Sequence, residues 1–246
     1  MLKSQFTARD WGSNPKYLSP SYKSTILRSP NKPLIPLKQT LSEITGPVFG
    51  HHSIKPLDND LTQNGITDGG EPLGERIIVS GKVIDEKGSP QRGTLIEIWQ
   101  CNSAGRYIHL NDQHNAPLDP NFFGGGRCMT DENGYYKFYT IKPAAYPWGN
   151  HTNAWRPAHI HFSLFGPAYV TRLITQSYFP GDPLLELDPI FMATPKSSRN
   201  LLIKQFSIAT TEEGFALGYN FDFILRGPNA TPVSYTHLTL PTILLV

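Results

Sequence analysis

The chain has 246 residues, of which 39% are hydrophobic and 17% charged, and its formal net charge is +2. This composition supports a packed core, excludes wholesale disorder, and gives no reason to expect nucleic acid or an anionic membrane as a partner. The 22 prolines are spread along the chain, which favours short strands joined by rigid loops over long helices.

The first part of the chain, residues 1–75, shows little hydrophobic periodicity. It is rich in Pro, Ser, Asn and Gly, and its start, MLKSQFTARDW, lacks the apolar segment of a signal peptide. No run in the sequence reaches the ~18 apolar residues of a membrane span. Long irregular segments of compact proteins often contact a partner or line a site. We therefore expect an irregular N-terminal arm on a soluble, cytoplasmic protein.

Between residues 76 and 232, strand-like segments alternate with turn signals. The β-branched or alternating segments are 76–85, 94–100, 135–140, 159–166, 169–179 and 220–227, and the best helical segment is 196–206. Short strands at this spacing predict an all-β fold, either a β-sandwich or a barrel. The two cysteines, Cys101 and Cys128, indicate reduced thiols rather than a disulfide scaffold.

The last segment, residues 233–246, is predicted to be a non-native read-through tail. Its first ten residues, VSYTHLTLPT, correspond to one reading frame of a common sequencing adapter. The alternative is a genuine C-terminal edge strand.

Two histidines in RPAHIHFSLFG, His159 and His161, are candidate metal ligands. Residues i and i+2 of a strand point to the same face, so both imidazoles could bind one ion. The alternative is an ordinary pair of strand histidines. The preceding run contains Trp148, Trp155 and Arg156, which suggests a pocket lining. His151 lies in a turn and is expected to be exposed.

The remaining ligands must come from elsewhere, because the run 146–161 contains no Asp or Glu. Two His and one carboxylate is the usual Fe(II) pattern. Tyr107 and Tyr146 are nearby tyrosines whose phenols, with an unperturbed pKa of about 10, ionise only beside a strong positive charge. Two tyrosinates and two neutral imidazoles would leave Fe(III) with a net charge of +1. A ferric site with two tyrosinates and two histidines is therefore self-consistent in charge.

Several motifs resemble the intradiol ring-cleaving dioxygenases, and within them the iron-bearing β chains of protocatechuate 3,4-dioxygenases. They are NSAGRY, LDPNFFGGGR, TIKPAAYPWGN, RPAHIHFSLFGPA, LITQSYFPGDPLLELDPIF and FDFILRG. The arm resembles the same chains in RDW, YKSTILRSP, LSEITGPVFG and PLDNDLT. The resemblance spans about residues 8–232. It implies an antiparallel β-sandwich of the intradiol dioxygenase type, with 76–232 as the catalytic sandwich and a long irregular N-terminal arm before it.

The resemblance implies one non-haem Fe(III) per chain, with Tyr146 and His161 as axial ligands, Tyr107 and His159 as equatorial ligands, and a hydroxide in the fifth position. It also implies roles for residues around the iron. Arg156 would be the active-site cation, Tyr146 a base, and Gln176 a hydrogen-bonding group. The implied substrate contacts are Trp148 and Ile190 as pocket walls, and Tyr22 and Trp99 near the substrate carboxylate.

The implied reaction is cleavage of protocatechuate by O2 to 3-carboxy-cis,cis-muconate, in aromatic degradation through the β-ketoadipate pathway. The implied partner is the α chain of the same enzyme, in a hetero-oligomer of αβ units contacted by the arm. One alternative is a catechol or hydroxyquinol 1,2-dioxygenase, although 1–75 is too rich in Pro and Gly for the helical start of those enzymes. A non-catalytic sandwich subunit and a carbohydrate- or protein-binding sandwich are the others.

Overall fold

The computed structural model describes residues 11–16, 18–20, 29, 32, 54–67, 69–149, 154–166 and 169–233. Tyr22, His151 and the predicted tail beyond Val233 lie outside these residues. Eleven strands occur in the described part of the chain: β1 Arg76–Ile84, β2 Leu95–Trp99, β3 Gly125–Met129, β4 Tyr135–Ile141, β5 Tyr146–Trp148, β6 Ala154–Arg156, β7 His159–Gly166, β8 Tyr169–Tyr178, β9 Gln205–Phe206, β10 Leu217–Asn220 and β11 Phe223–Ile224.

The strands form two larger sheets and one small hairpin. In the first sheet β1 pairs antiparallel with β4 and parallel with β10 and β11, and β9 extends the sheet from β10. The second sheet has the order β3-β2-β7-β8, with every pair antiparallel. The hairpin consists of β5 and β6. The predicted all-β sandwich is confirmed, with parallel pairing confined to β1 and its two C-terminal neighbours.

An aromatic core fills the space between the two large sheets. Phe138 of β4 and Phe162 of β7 meet there at a centroid distance of 6.0 Å, and Phe223 lies 5.1 Å from Phe162. Burial of such rings supplies most of the folding free energy, at about 25 cal/mol per Å² of apolar surface. Because β7 alternates its side chains, Ile160 and Phe162 enter this core while His159 and His161 face outward.

The segment predicted as one strand over 220–227 is divided into β10 and β11. The break lies where Phe221 crosses Gly81: a Cβ built on Gly81 would lie 2.0 Å from the Phe221 carbonyl oxygen. Asp222 turns its carboxylate to accept the Lys82 N–H at 2.7 Å. Glycine is therefore required at position 81 for the two strands to follow one another along β1.

The predicted helix 196–206 was wrong in length and type. Lys196–Leu202 is a 3-10 helix, and the chain then becomes extended into β9. The Lys204 N–H donates to the Tyr178 carbonyl at 2.9 Å, which draws this segment onto the end of β8. Tertiary pairing thus overrides local helix propensity. One short α-helix, α1 Pro189–Ala193, was not predicted.

Part of the predicted arm lies against the sandwich. Leu61 is fully buried in the core, and its N–H donates to the Tyr139 carbonyl at 2.9 Å. Asp58 accepts the Arg127 N–H through its carbonyl at 2.7 Å. The boundary at residue 75 stays a prediction. At the other end, Val233 is buried and its N–H donates to Asn14 Oδ1 at 2.9 Å.

Both cysteines are buried free thiols, as predicted. No helix among the described residues is long and apolar enough to cross a bilayer.

Candidate functional site

The outer face of the second sheet carries the predicted site residues in rows across neighbouring strands. His161 of β7 is flanked by Trp99 of β2 and Gln176 of β8, and His159 is opposite Tyr178. The strand period of two places all five side chains on the face away from the core. This register decides which residues can meet at the site.

The β5–β6 hairpin covers this face and contributes further site residues. Tyr146 is directly opposite Arg156, and Trp148 lies two residues further along on the same side as Tyr146. Trp155 alternates to the other face, is 45% exposed, and contacts the ring of His114 at 6.1 Å. The prediction that Trp155 lines the pocket is therefore wrong, because it lies one residue out of phase with Arg156.

A tight loop after β2 brings Tyr107 towards the hairpin. Asn102 Oδ1 accepts the N–H groups of Ala104 and Arg106, both at 2.9 Å. Gly105 has a φ of +80°, and a Cβ there would lie 2.5 Å from the Ala145 carbonyl oxygen. Glycine is needed for both reasons. The loop thereby sets the Tyr107 ring edge-on to that of Tyr146, with centroids 5.4 Å apart.

Donor atoms of the two histidines and Tyr146 converge on one point. His159 Nε2 lies 3.2 Å from His161 Nε2 and 3.5 Å from the Tyr146 hydroxyl. The Tyr107 ring is 6.5 Å from that of His161. Two nitrogens about 2.1 Å from one ion at right angles to each other would be about 3 Å apart. The spacing of the imidazoles therefore fits ligands that share an ion.

Both imidazoles are held in the neutral form that a metal needs. Burial, together with the nearby charge of Arg156, lowers the pKa of His159 well below its ordinary value and that of His161 to about 3. His159 Nδ1–H donates a hydrogen bond to the Pro157 carbonyl at 2.7 Å, so the lone pair of the neutral ring is on Nε2.

The phenols also fit a cation site. Burial raises the pKa of Tyr107 and of Tyr146 above the ordinary value, so neither ionises without a strong positive neighbour. The buried Tyr107 hydroxyl has no well-formed hydrogen bond to any described residue. No group of three or more His, Cys, Asp or Glu in the described segments could hold a metal. The phenols of Tyr107 and Tyr146 are oxygen donors close to the two imidazoles.

Arg156 is the buried cation beside these donors. Only 1% of it is exposed, and its NH1 lies 3.2 Å from His159 Nε2. Its NH2 donates to Gln176 Oε1 at 2.7 Å and to the Tyr178 hydroxyl at 3.0 Å. Burial opposes its charge, but the ion pair with Asp188 outweighs burial and raises the pKa of Arg156.

An apolar wall stands beside the cation. Ile190, the second residue of α1, is 4% exposed and packs against Trp148 and Ala193. The Arg156 guanidinium lies 5.8 Å from the centre of the Trp148 ring. Trp99 stacks on the ring of His161. Apart from Trp155, and from Tyr22 outside the described residues, the predicted pocket residues therefore lie around this donor group.

Sequence reasoning missed two residues that contact Arg156, namely Asp188 and Tyr178. Each had a signal. Tyr178 lies two residues after Gln176 on the same strand, so it shares that face. Asp188 directly precedes Pro189, and Asp followed by Pro is typical of a helix N-cap and first helical position.

Comparisons with known proteins identify relatives of this chain. The sequence matches the family model described as "Dioxygenase" over residues 44–227, and "Protocatechuate 3,4-dioxygenase beta subunit N terminal" over residues 7–40. It is 61% identical to the protocatechuate 3,4-dioxygenase beta chain of Burkholderia cepacia, over 92% of this chain and 96% of that one. It is also 34% identical to a catechol 1,2-dioxygenase of Candida albicans, over 62% of this chain and 51% of the relative.

A solved structure resembles the fold. The 3-chlorocatechol 1,2-dioxygenase of Rhodococcus opacus aligns with a TM-score of 0.52 and 26% identity, covering 73% of this chain and 69% of that one. Together with the two family matches, this similarity establishes that the chain belongs to the intradiol dioxygenase family, alongside the protocatechuate 3,4-dioxygenase beta chains.

Proposed function

We propose that this chain is the iron-bearing subunit of an enzyme that cleaves protocatechuate with O2 to 3-carboxy-cis,cis-muconate. The observation that carries the proposal is the convergence of two buried imidazoles with the Tyr146 phenol, with Tyr107 packed beside them. The relative with 61% identity carries protocatechuate 3,4-dioxygenase in its name and matches nearly the whole chain. The proposed ferric ligands are Tyr107, Tyr146, His159 and His161, for one Fe(III) per chain.

The metal is proposed as non-haem Fe(III) because of the donor chemistry. Phenolate is a hard anionic ligand, and a trivalent ion lowers the pKa of a buried phenol more than a divalent one does. When bound, iron would be chelated by both oxygens of a catechol and would carry electron density between the ring and O2. Two neutral imidazoles complete the donor set without adding negative charge.

Tyr146 is proposed as a base for substrate binding. A catechol must lose two protons to bind through both oxygens, and a phenolate at Tyr146 can accept one of them. Burial favours the neutral phenol, because it raises the pKa of Tyr146. A proton accepted there is therefore retained. The Tyr146 hydroxyl lies 3.5 Å from His159 Nε2, so the proton arrives at the edge of the donor group.

Arg156 is proposed as the cation that stabilises negative charge developing on the ring. It is buried, fixed by three partners, and directs NH1 at the donor atoms. A preorganised charge in a water-excluded site stabilises a transition state more strongly than a solvated one. Gln176 holds the same guanidinium through Oε1 at 2.7 Å, so we propose that it contributes by orienting Arg156.

The remaining residues are proposed to orient the substrate. Trp148 and Ile190 form the apolar wall against which a ring would pack. Trp99 and Tyr22 are proposed near the substrate carboxylate. We further propose an α chain partner in a hetero-oligomer of αβ units, with residues 1–75 as the partner-contacting arm, 76–232 as the catalytic sandwich, and 233–246 as a non-native tail. A cytoplasmic location and a place in the β-ketoadipate pathway complete the proposal.

The second candidate is a catechol or hydroxyquinol 1,2-dioxygenase. Its support is the 34% identity to a catechol 1,2-dioxygenase, which spans only 51% of that relative. The match of residues 7–40 to a protocatechuate 3,4-dioxygenase beta subunit segment favours the first candidate. A non-catalytic subunit is disfavoured because all four proposed ligands are present.

The test is co-expression with a candidate α chain, loading with iron, and measurement of O2 uptake. We expect uptake with protocatechuate, incorporation of both oxygen atoms into the product, and a burgundy colour from tyrosinate-to-iron charge transfer. Faster uptake with catechol than with protocatechuate would support the second candidate. A colourless protein without O2 uptake after iron loading would contradict both.

A further inference from the structure

Asp188 is a buried carboxylate that links the active-site cation to the pocket wall. It is 0% exposed, and its two oxygens face the Arg156 guanidinium: Nε donates to Oδ1 at 3.2 Å and NH2 donates to Oδ2 at 2.9 Å. The same oxygens accept backbone N–H groups of α1, Oδ1 from Ile190 and Oδ2 from Phe191, both at 3.3 Å. The Asp188 side chain therefore contacts both the Arg156 guanidinium and the N-terminus of α1.

The two-point contact fixes the orientation of Arg156. A planar guanidinium held through Nε and NH2 cannot rotate without losing both bonds. The Tyr178 hydroxyl reinforces this arrangement, because it lies 3.0 Å from Arg156 NH2 and 3.4 Å from Asp188 Oδ2. The edge bearing NH1 is left to face His159 Nε2 at 3.2 Å.

The Asp188 N-cap also fixes the position of the apolar wall formed by Ile190. Helix α1 has only five residues, and so short a helix has little stability of its own. Its first N–H groups depend on the Asp188 carboxylate, and Pro189 at the first helical position fixes the entry angle. Ile190 is the next residue, so its placement against Trp148 depends on the cap.

We propose that Asp188 is a positioning residue for the reaction, which holds the Arg156 cation and the Ile190 wall in one rigid arrangement around the substrate. This inference rests on the proposed function for its effect on turnover. Asp188 itself does not contact the donor atoms; it acts through Arg156 and α1. Loss of its charge should therefore impair the chemical step more than substrate binding.

The first test compares Asp188→Asn with Asp131→Asn in the iron-loaded αβ enzyme. Asparagine is also a good N-cap, so α1 should survive, but its amide offers the guanidinium only one acceptor. We expect kcat to fall about tenfold to a hundredfold, with KM changed less than about threefold. Asp131 accepts two backbone N–H groups in the turn between β3 and β4. This turn is at the end of β2 and β3 that lies away from Trp99. Asp131→Asn should therefore leave kcat and KM unchanged.

The second test repeats Asp188→Asn in an Arg156→Met background. If Asp188 acts through the guanidinium, removing its charge should cost no further loss of kcat once the guanidinium is absent. An equal loss in both backgrounds would overturn the proposal, because a general structural defect persists without Arg156. Should Asp188→Asn be insoluble, Tyr178→Phe provides the same cycle, with an expected loss of about threefold that also disappears without Arg156.

A crystal structure of Asp188→Asn separates this inference from the proposed function. We expect the guanidinium to be rotated or displaced from His159 while the backbone of α1 is retained. An unmoved guanidinium with unchanged kcat would refute the role of Asp188. If the parent enzyme consumes no O2 with any catechol, the proposed function fails, yet the position of Arg156 in the variant still decides the structural claim.

Discussion

The indole ring of Trp99 lies flat against the imidazole of His161, with ring centroids 4.9 Å apart and 7° between the planes. The two residues are direct partners across β2 and β7. His159 is oriented through Nδ1 and the Pro157 carbonyl, whereas His161 Nδ1 has no hydrogen-bond partner among the described residues. Stacking on Trp99, rather than a hydrogen bond to a described residue, therefore fixes the plane of the His161 ring.

Replacing Trp99 with Leu should weaken iron binding. The His161 ring would lose the surface that fixes its plane, and loss of such outer support typically lowers metal affinity about tenfold to a hundredfold. The measurement is the rate of iron loss to a chelator, followed by the fading of the visible absorption band. Trp155→Leu is the matched control, because Trp155 is exposed on the opposite face of its strand. Equal rates for the two variants would contradict this role of Trp99.

The same variant also tests whether Trp99 contacts the substrate carboxylate. If it does, kcat/KM should fall more for protocatechuate, which carries the carboxylate, than for catechol, which lacks it. If Trp99 acts only by stacking on His161, both substrates should be affected by the same factor. A ratio of the two kcat/KM values that differs from that of the parent enzyme by more than about threefold, or about 0.7 kcal/mol, supports the contact.

Replacing Tyr107 with Phe should leave the iron-free protein at least as stable as the parent. The Tyr107 hydroxyl is buried without a well-formed hydrogen bond to a described residue, so its removal costs nothing and relieves desolvation. Tyr136→Phe is the opposite case, because the Tyr136 hydroxyl donates to the Phe221 carbonyl at 2.6 Å. We expect that variant to lose about 1–2 kcal/mol. Urea unfolding of the iron-free proteins provides both values, and greater destabilisation by Tyr107→Phe would be evidence against a metal-binding role.

The buried amine of Lys204 should make stability depend on pH. It is fully buried, its amine donates to the carbonyl and hydroxyl of Ser177 at 2.8 and 2.7 Å, and it lies 3.9 Å from the centre of the Phe179 ring. Burial lowers the pKa of Lys204 well below 10.5, so below that pH the unfolded state binds a proton that the folded state resists. The free energy of unfolding should therefore rise with pH between the folded pKa and 10.5, by at most about 1.4 kcal/mol per unit.

Lys204→Met removes this titration. Its unfolding free energy should be flatter than that of the parent in urea melts between about pH 7 and 9.5. Lys82→Met, at an exposed position of β1, is the control and should keep the parent slope. A parent-like slope in Lys204→Met would show that the amine is charged when folded.

Replacing Ile190 with Ala should widen the pocket beside Trp148. A catechol bearing an extra substituent should gain in kcat/KM relative to protocatechuate, because the wall that Ile190 forms is shortened. Stability should fall by about 2–4 kcal/mol through the cavity left behind. Ile77→Ala creates a comparable cavity in the sandwich core and should lower stability without shifting the substrate ratio. A shift of equal size in both variants would exclude a direct role for Ile190.

Elements that depend on contacts within one segment were predictable from the sequence, whereas those that depend on contacts between distant segments were not. Strands β1, β2, β4, β7 and β8 were predictable because β-branched or alternating residues and their turn signals lie within single short segments. The helix predicted over 196–206 failed because the Tyr178 carbonyl captures the Lys204 N–H, a contact that the local sequence does not contain. The break between β10 and β11 likewise depends on Gly81, which lies on another strand.

For the site, the sequence alone determined which side chains were available and which histidines share a face. The period of two in β7 placed His159 and His161 on one face before any tertiary contact was known. The family resemblance then supplied Tyr107 and Tyr146 as candidate partners, and membership of that family is confirmed.

The tertiary structure decided which of these groups meet. Strand register placed Trp99 against His161, hairpin pairing placed Tyr146 opposite Arg156, and the cap of α1 brought Asp188 to the guanidinium. Each contact joins segments that are distant in sequence, and its energy depends on burial and on the direction of a bond. The local sequence pattern contains no information on burial or on bond direction. These three contacts therefore form only once the sheets have packed.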